Sequence, residues 1–95
     1  MYVRLNAGWD EKRLRDLYAE TYRGEPFVKI LSSGQTTTLA HSNYTNYCTI
    51  SIHYVADVQQ AIICTSIDNL IKGASGQAVQ NMNLMFDLPE TTALL

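Results

Sequence analysis

Between Ile30 and Ile67 the chain carries a single charged residue, Asp57, and from Gly73 to Phe86 it carries none. Six of its seven basic residues lie within residues 1–29. The net charge of −2 leaves no positive field to hold nucleic acid or an acidic membrane. No apolar run reaches the roughly eighteen residues of a transmembrane helix, and no apolar signal region follows Met1. Two cysteines, Cys48 and Cys64, are too few for a disulfide framework or a zinc site. Five glycines are scattered, and none builds a dinucleotide loop or a P-loop. The expectation is a reduced, cytoplasmic chain with no nucleic-acid and no membrane partner.

What is present is a core-forming composition, 46% hydrophobic against 17% charged. The charged share falls below the average of about a quarter. Ninety-five residues suffice for one domain and not for two, so residues 1–95 are read as a single domain. A free-standing domain keeps charge on its wet faces. A charge-poor stretch from Ile30 to Ile67 therefore points to surfaces covered by something else.

Tyr2–Leu5 reads as a short strand that starts with no preceding turn, as if the chain opened inside an element. Asp10 is placed to cap a helix, with Trp9 and Leu14 at staple spacing. Leu14, Leu17, Tyr18, Thr21 and Tyr22 form its apolar stripe, Glu11 and Arg15 an i, i+4 pair, and Gly24 and Pro26 its end. Phe27–Leu31 reads as a strand, Ser32-Ser33-Gly34 as a turn and Thr36–Ala40 as a weaker strand. Cys48–Val55 alternates with period two and pairs, as a hairpin, with the apolar run Ala61–Ile67. A final helix spans 73–86, and Pro89 prevents its continuation. The order β-α-β-β-β-β-α predicts an α+β fold with a mostly antiparallel sheet and helices packed on one face.

Groups able to do chemistry are few. Cys48 shares the apolar parity of Ile50 and Ile52, so it reads as buried and inert, and Cys64 lies in the other strand of the hairpin. A nucleophilic cysteine needs exposure and a base or positive charge nearby. His53 falls on the polar parity and reads as a hydrogen-bonded surface histidine; His41 lies in a loop with no paired acid. No metal-ligand spacing exists. Lys72-Gly73-Ala74-Ser75-Gly76 can present backbone N–H groups to an anion, or its glycines can simply permit a tight turn. On the last helix Ala78, Val79, Met82, Met85 and Phe86 line an apolar stripe expected, in the isolated chain, to dock on its own sheet or on a neighbouring chain, with the amide face of Gln80 and Asn83 then exposed or in a subunit contact. Gly76, Gln80 and Asn83 line another side. Side-chain amides donate and accept without charge, which suits a covered face.

The segment DNLIKGASGQAVQNMNLMFDLPETTALL closely resembles the C-terminal end of N-acetyl-gamma-glutamyl-phosphate reductase. YAETYRGEPFVKIL resembles that family's helix-then-strand segment, and TNYCTISIH its Asn-Tyr-Cys strand. The likeness runs along nearly the whole chain. One departure precedes the strand: Tyr44 stands where many members have glycine.

The resemblance implies part of an NADP-dependent reductase of arginine biosynthesis that converts an acyl phosphate to an aldehyde. It implies a Rossmann domain joined to a catalytic domain like that of glyceraldehyde-3-phosphate dehydrogenase, of which this chain is a C-terminal fragment. The family's nucleophilic cysteine and its histidine would lie upstream of residue 1, so no catalytic residue is expected here, and the isolated chain is expected to be inactive and not to bind NADP. Within the whole enzyme the resemblance places Gln80, Asn69 and Gly73 at the cofactor, and packs the final helix on the nucleotide-binding domain. Homo-oligomers through the charge-poor sheet region are expected. The alternatives are an association module that keeps the fold without activity, or part of a related aspartate-semialdehyde dehydrogenase.

Overall fold

Asp10 starts the first helix as its position predicts: its carboxylate accepts the backbone N–H of Arg13 at 2.8 Å and fills one of the donors a helix start leaves open. In the computed structural model, which describes residues 1–95, this helix, α1, spans Glu11–Thr21. Around it run β1 (Tyr2–Arg4), β2 (Val28–Ile30), β3 (Cys48–Val55), β4 (Gln60–Ser66) and a last helix, α2 (Gly76–Met85).

The strands form one four-stranded sheet in the order β1-β4-β3-β2. β3 and β4 pair antiparallel with Ile52 opposite Ile63, through a 3₁₀ turn at Ala56–Val58 and Gln59 at φ 52°. β1 adds to β4 antiparallel, Val3 opposite Ala61. β2 runs parallel to β3, Ile30 beside Ile50. The sheet is therefore mostly antiparallel, with one parallel pair at its edge.

Leu14 of α1 packs with Ile50, Ile52, Ala61 and Ile63. Each large side chain buried there contributes roughly 1.5–3 kcal/mol. Arg15 adds a staple: its guanidinium donates to the Leu31 carbonyl at 2.9 Å and to the Ile52 carbonyl at 2.7 Å. Ile52 lies just past the end of the β2 ladder, so the guanidinium replaces a strand that has already turned away. The far end of the α1 stripe stays wet: Leu17 and Tyr22 are exposed and, with Tyr18 and Thr21, line a shallow groove.

Thr36–Ala40 is not a strand, contrary to the sequence reading. Two adjacent parallel strands need a crossover, not a hairpin, and this segment belongs to it. It lies across the polar face of the sheet and spends its polar groups on side chains. The Thr37 N–H donates to the Ser51 hydroxyl at 3.1 Å, the Thr37 and Thr49 hydroxyls bond each other, and Ser42 bonds Ser66. Such bonds compete with ladder formation. The charge-poor sheet residues Thr49 and Ser51 are thus covered from within the chain.

The molecule measures 47 × 25 × 18 Å with a radius of gyration of 15.2 Å, against about 12 Å for a compact chain of this length. Thirteen of 95 residues are buried, six of them hydrophobic. A core this small leaves large apolar side chains outside it, and α2 carries the densest group.

Candidate functional site

The last helix opens with a π-helical turn, Ile71–Ser75, before α2 begins at Gly76. The start of the final helix thus lies near the predicted residue 73, but with wider winding. Asp68 anchors it: its carboxylate accepts the backbone N–H groups of Leu70 (2.8 Å) and Ile71 (3.2 Å), and that of Tyr44 (2.9 Å) in the crossover. These three N–H groups, Tyr44's first, hold the Asp68 carboxyl below its usual value.

The amide face of α2 is buried within the chain itself, against the expectation that it would be exposed or in a subunit contact. Gly76, Gln80 and Asn83 are its buried residues. Met82, Met85 and Phe86 are exposed, Met85 at 80% and Phe86 at 69%, as are Leu84 and Leu88 beside them. Periodicity located both stripes correctly but could not say which one meets protein. The amide stripe faces inward because polar partners wait there, supplied by a loop and by the tail.

Gln80 lies at the centre of these partners. Its Oε1 accepts from Asn46 Nδ2 at 2.9 Å and from Lys72 Nζ at 2.8 Å. Its Nε2 donates to a Glu90 carboxylate oxygen at 2.7 Å. Asn83 Nδ2 donates to the carbonyls of Glu90 and Thr92, both at 3.0 Å. The tail reaches these atoms because Asp87, at φ 57°, reverses the chain, and the Leu88 N–H closes on the Asn83 carbonyl at 2.8 Å. Asn46 Oδ1 and Asn83 Oδ1 have no partner. Gly76 permits the approach of loop to helix, since a Cβ there would stand 2.3 Å from Asn46 Oδ1.

Of the residues expected at a cofactor, Asn69 and Gly73 are exposed on the turn before α2, whereas Gln80 is only 7% exposed with both oxygen lone pairs used. One N–H of its amide remains. Neither surface groove reaches this end of the molecule; both lie along α1 and β1. Within this chain alone, no groove lies at Gln80, Asn69 and Gly73.

Cys48 is half-buried, and burial pushes its thiol up. His53 Nε2 meets the Thr36 hydroxyl at 3.1 Å. His41 Nδ1 accepts the Thr38 N–H at 2.9 Å inside its own 3₁₀ turn. No cluster of three metal-ligating side chains exists, and no helix is long and apolar enough to cross a membrane. Asn46 and Glu90 were missed by the sequence reading. The one available signal was a pair of carboxylates, Asp87 and Glu90, just beyond an uncharged amide helix.

The family described as semialdehyde dehydrogenase, dimerisation domain, matches residues 1–69. An N-acetyl-gamma-glutamyl-phosphate reductase of Geobacter metallireducens is 45% identical over 99% of this chain and 27% of its own length. That of Chlorobaculum tepidum is 50% identical over 98% of the chain and 26% of its own length, and that of Methanopyrus kandleri 45% identical over 90% and 24%. The chain thus spans about a quarter of the length of the curated relatives it matches, 24–27% in these three. With a profile matched over residues 1–69 and these reductases aligned along nearly all of it, the chain belongs to the semialdehyde dehydrogenase dimerisation-domain family.

Proposed function

We propose that the chain serves as the C-terminal, dimerisation part of a cytoplasmic, NADP-dependent N-acetyl-gamma-glutamyl-phosphate reductase acting in arginine biosynthesis. The carrying observation is the 45% identity to such a reductase along 99% of this chain. In this reading residues 1–95 form a single unit within a glyceraldehyde-3-phosphate-dehydrogenase-like catalytic domain. The cofactor supplies hydride in the complete enzyme, and this chain's residues hold and orient the parts around it.

Two surfaces carry that role. The sheet portion, within the family-matched residues 1–69, forms the homo-oligomer contact. α2 and its C-cap residue Phe86 present Met82, Met85 and Phe86 outward, an apolar patch suited to a companion nucleotide-binding domain. Asn69 and Gly73, exposed at the start of that helix, face the cofactor side, and Gln80 stands behind them with one free N–H. The test is the intact enzyme with Met85→Glu and Phe86→Glu. NADPH oxidation dependent on N-acetyl-glutamyl phosphate should fall at least tenfold by loss of domain contact, about the cost of placing one charge in an apolar interface. Undiminished turnover in the variant would overturn the docking role, and no substrate-dependent oxidation by the parent enzyme would overturn the function.

A further inference from the structure

The bonds around Gln80 form a bridge between opposite charges. Lys72, from the π-helical turn, donates to its oxygen at 2.8 Å, and Glu90, from the tail, accepts from its nitrogen at 2.7 Å. Lys72 and Glu90 make no direct ion pair with each other. We propose that Gln80 is an amide bridge between Lys72 and Glu90, and that this bridge straps the C-terminal tail to α2 and so sets the pose of the helix and its outward apolar stripe.

Three observations carry the inference. First, the buried residues of α2 are Gly76, Gln80 and Asn83, so little hydrophobic burial holds the helix and polar bonds must. Second, bonds with one charged partner are roughly twice as strong as neutral ones, and the Gln80 amide makes two of them, one at each end. Third, Glu90 acts twice: its carboxylate takes Gln80 and its carbonyl takes Asn83. Asn46 ties the same amide to the loop before β3 at 2.9 Å. Helix, loop and tail thus meet at one side chain. Glu90 is a positioning residue for α2, acting through Gln80.

The charged groups bonded to position 80 are Lys72 and Glu90 alone, with Cys48 close enough to Lys72 to feel its charge. This makes a charge-swap experiment decisive. Gln80→Glu sets two carboxylates against each other, which raises the pKa of one of them. In the intact protein, hydrogen exchange of the α2 amides, corrected for intrinsic rate and compared with the parent at the same pH, should then quicken by about tenfold or more at pH 8, the size of one lost bond to a charged group, and return towards the parent near pH 5. Glu90→Ala should quicken the same amides at both pH values. Glu90→Gln keeps a neutral acceptor and should show a smaller effect. The swap Gln80→Glu with Glu90→Gln restores donor and acceptor in reverse, and should return exchange to within a few-fold of the parent. The β3 and β4 amides should exchange alike in all variants. The proposal is overturned if the swap protects α2 no better than Gln80→Glu alone, or if the sheet amides quicken with those of α2.

Discussion

Asp68 accepts the backbone N–H of Tyr44 at 2.9 Å while Tyr44 sits at φ 63° and is 89% exposed. That backbone region favours glycine, which is the residue the resemblance places at this position. A left-handed conformation costs a non-glycine residue about 1–2 kcal/mol, whereas ordering a glycine costs about 0.5–1 kcal/mol. Relief of strain wins. Tyr44→Gly should stabilise the chain by about 0.5–1 kcal/mol, read as a rise in the denaturant midpoint with the slope unchanged. Tyr44→Ala keeps the strain and should give no gain.

Asp68 itself makes the loop and the start of the helix acid-sensitive. Its carboxyl is held low by the N–H groups of Tyr44, Leu70 and Ile71. A depressed carboxylate contributes stability that is complete above its unfolded value, about 3.9, and is lost as pH falls through the lower folded value. Exchange of the Tyr44, Leu70 and Ile71 amides, corrected for intrinsic rate, should therefore quicken below about pH 4. Asp68→Asn should quicken it already at neutral pH and flatten the dependence. A parent profile without a step in the acid range would refute the assignment.

Gly76 and Gly73, three residues apart on the same rising chain, should answer alanine oppositely. A Cβ on Gly76 would stand 2.3 Å from Asn46 Oδ1, 2.6 Å from Ile71 Cγ2 and 2.7 Å from the Ile71 carbonyl. Alanine gains about 1 kcal/mol of helix propensity, but overpacking costs typically 1–3 kcal/mol and here also breaks the loop contact. Gly76→Ala should lower the melting temperature. At Gly73 the nearest atoms would lie at 3.5 Å, ordinary contact, so Gly73→Ala should be neutral or slightly stabilising in thermal unfolding. The proposed place of Gly73 beside the cofactor predicts that NADPH use by the Gly73→Ala variant of the complete enzyme falls without a matching loss of stability.

Arg15 should resist even conservative replacement. Its two nitrogens reach two carbonyls, those of Leu31 and Ile52, and its Nε meets Glu11 at 3.2 Å. The Ser33 hydroxyl and the guanidinium together hold the Glu11 carboxyl below its usual range. A lysine cannot span both carbonyls. Arg15→Lys should cost about 1.5 kcal/mol, one bond to a charged group, and Arg15→Ala about 3 kcal/mol, measured by denaturant unfolding.

The elements with local causes were readable from the amino acids alone. Asp10 caps α1 because the donors it fills lie within the next three residues. The alternation of Cys48–Val55 marks β3 because one face of a strand is dry and the other polar. The amide stripe Gly76, Gln80, Asn83 and the apolar stripe Met82, Met85, Phe86 are both legible at helical spacing. Their orientation was not, because it depends on partners distant in sequence. Asn46 reaches Gln80 from the loop before β3, and Glu90 returns to it only because Asp87 turns the tail back. Thr36–Ala40 was misread for a similar reason. Its threonines suit a strand, but the parallel pairing of β2 with β3 makes that stretch a crossover, and parallel pairing leaves no local mark. The sequence by itself determined the helices, the hairpin strands and the family resemblance, all of which rest on neighbours along the chain. Tertiary structure alone decided which face of α2 is buried, since that is a competition between hydrogen bonds made across the fold and apolar surface left for another partner.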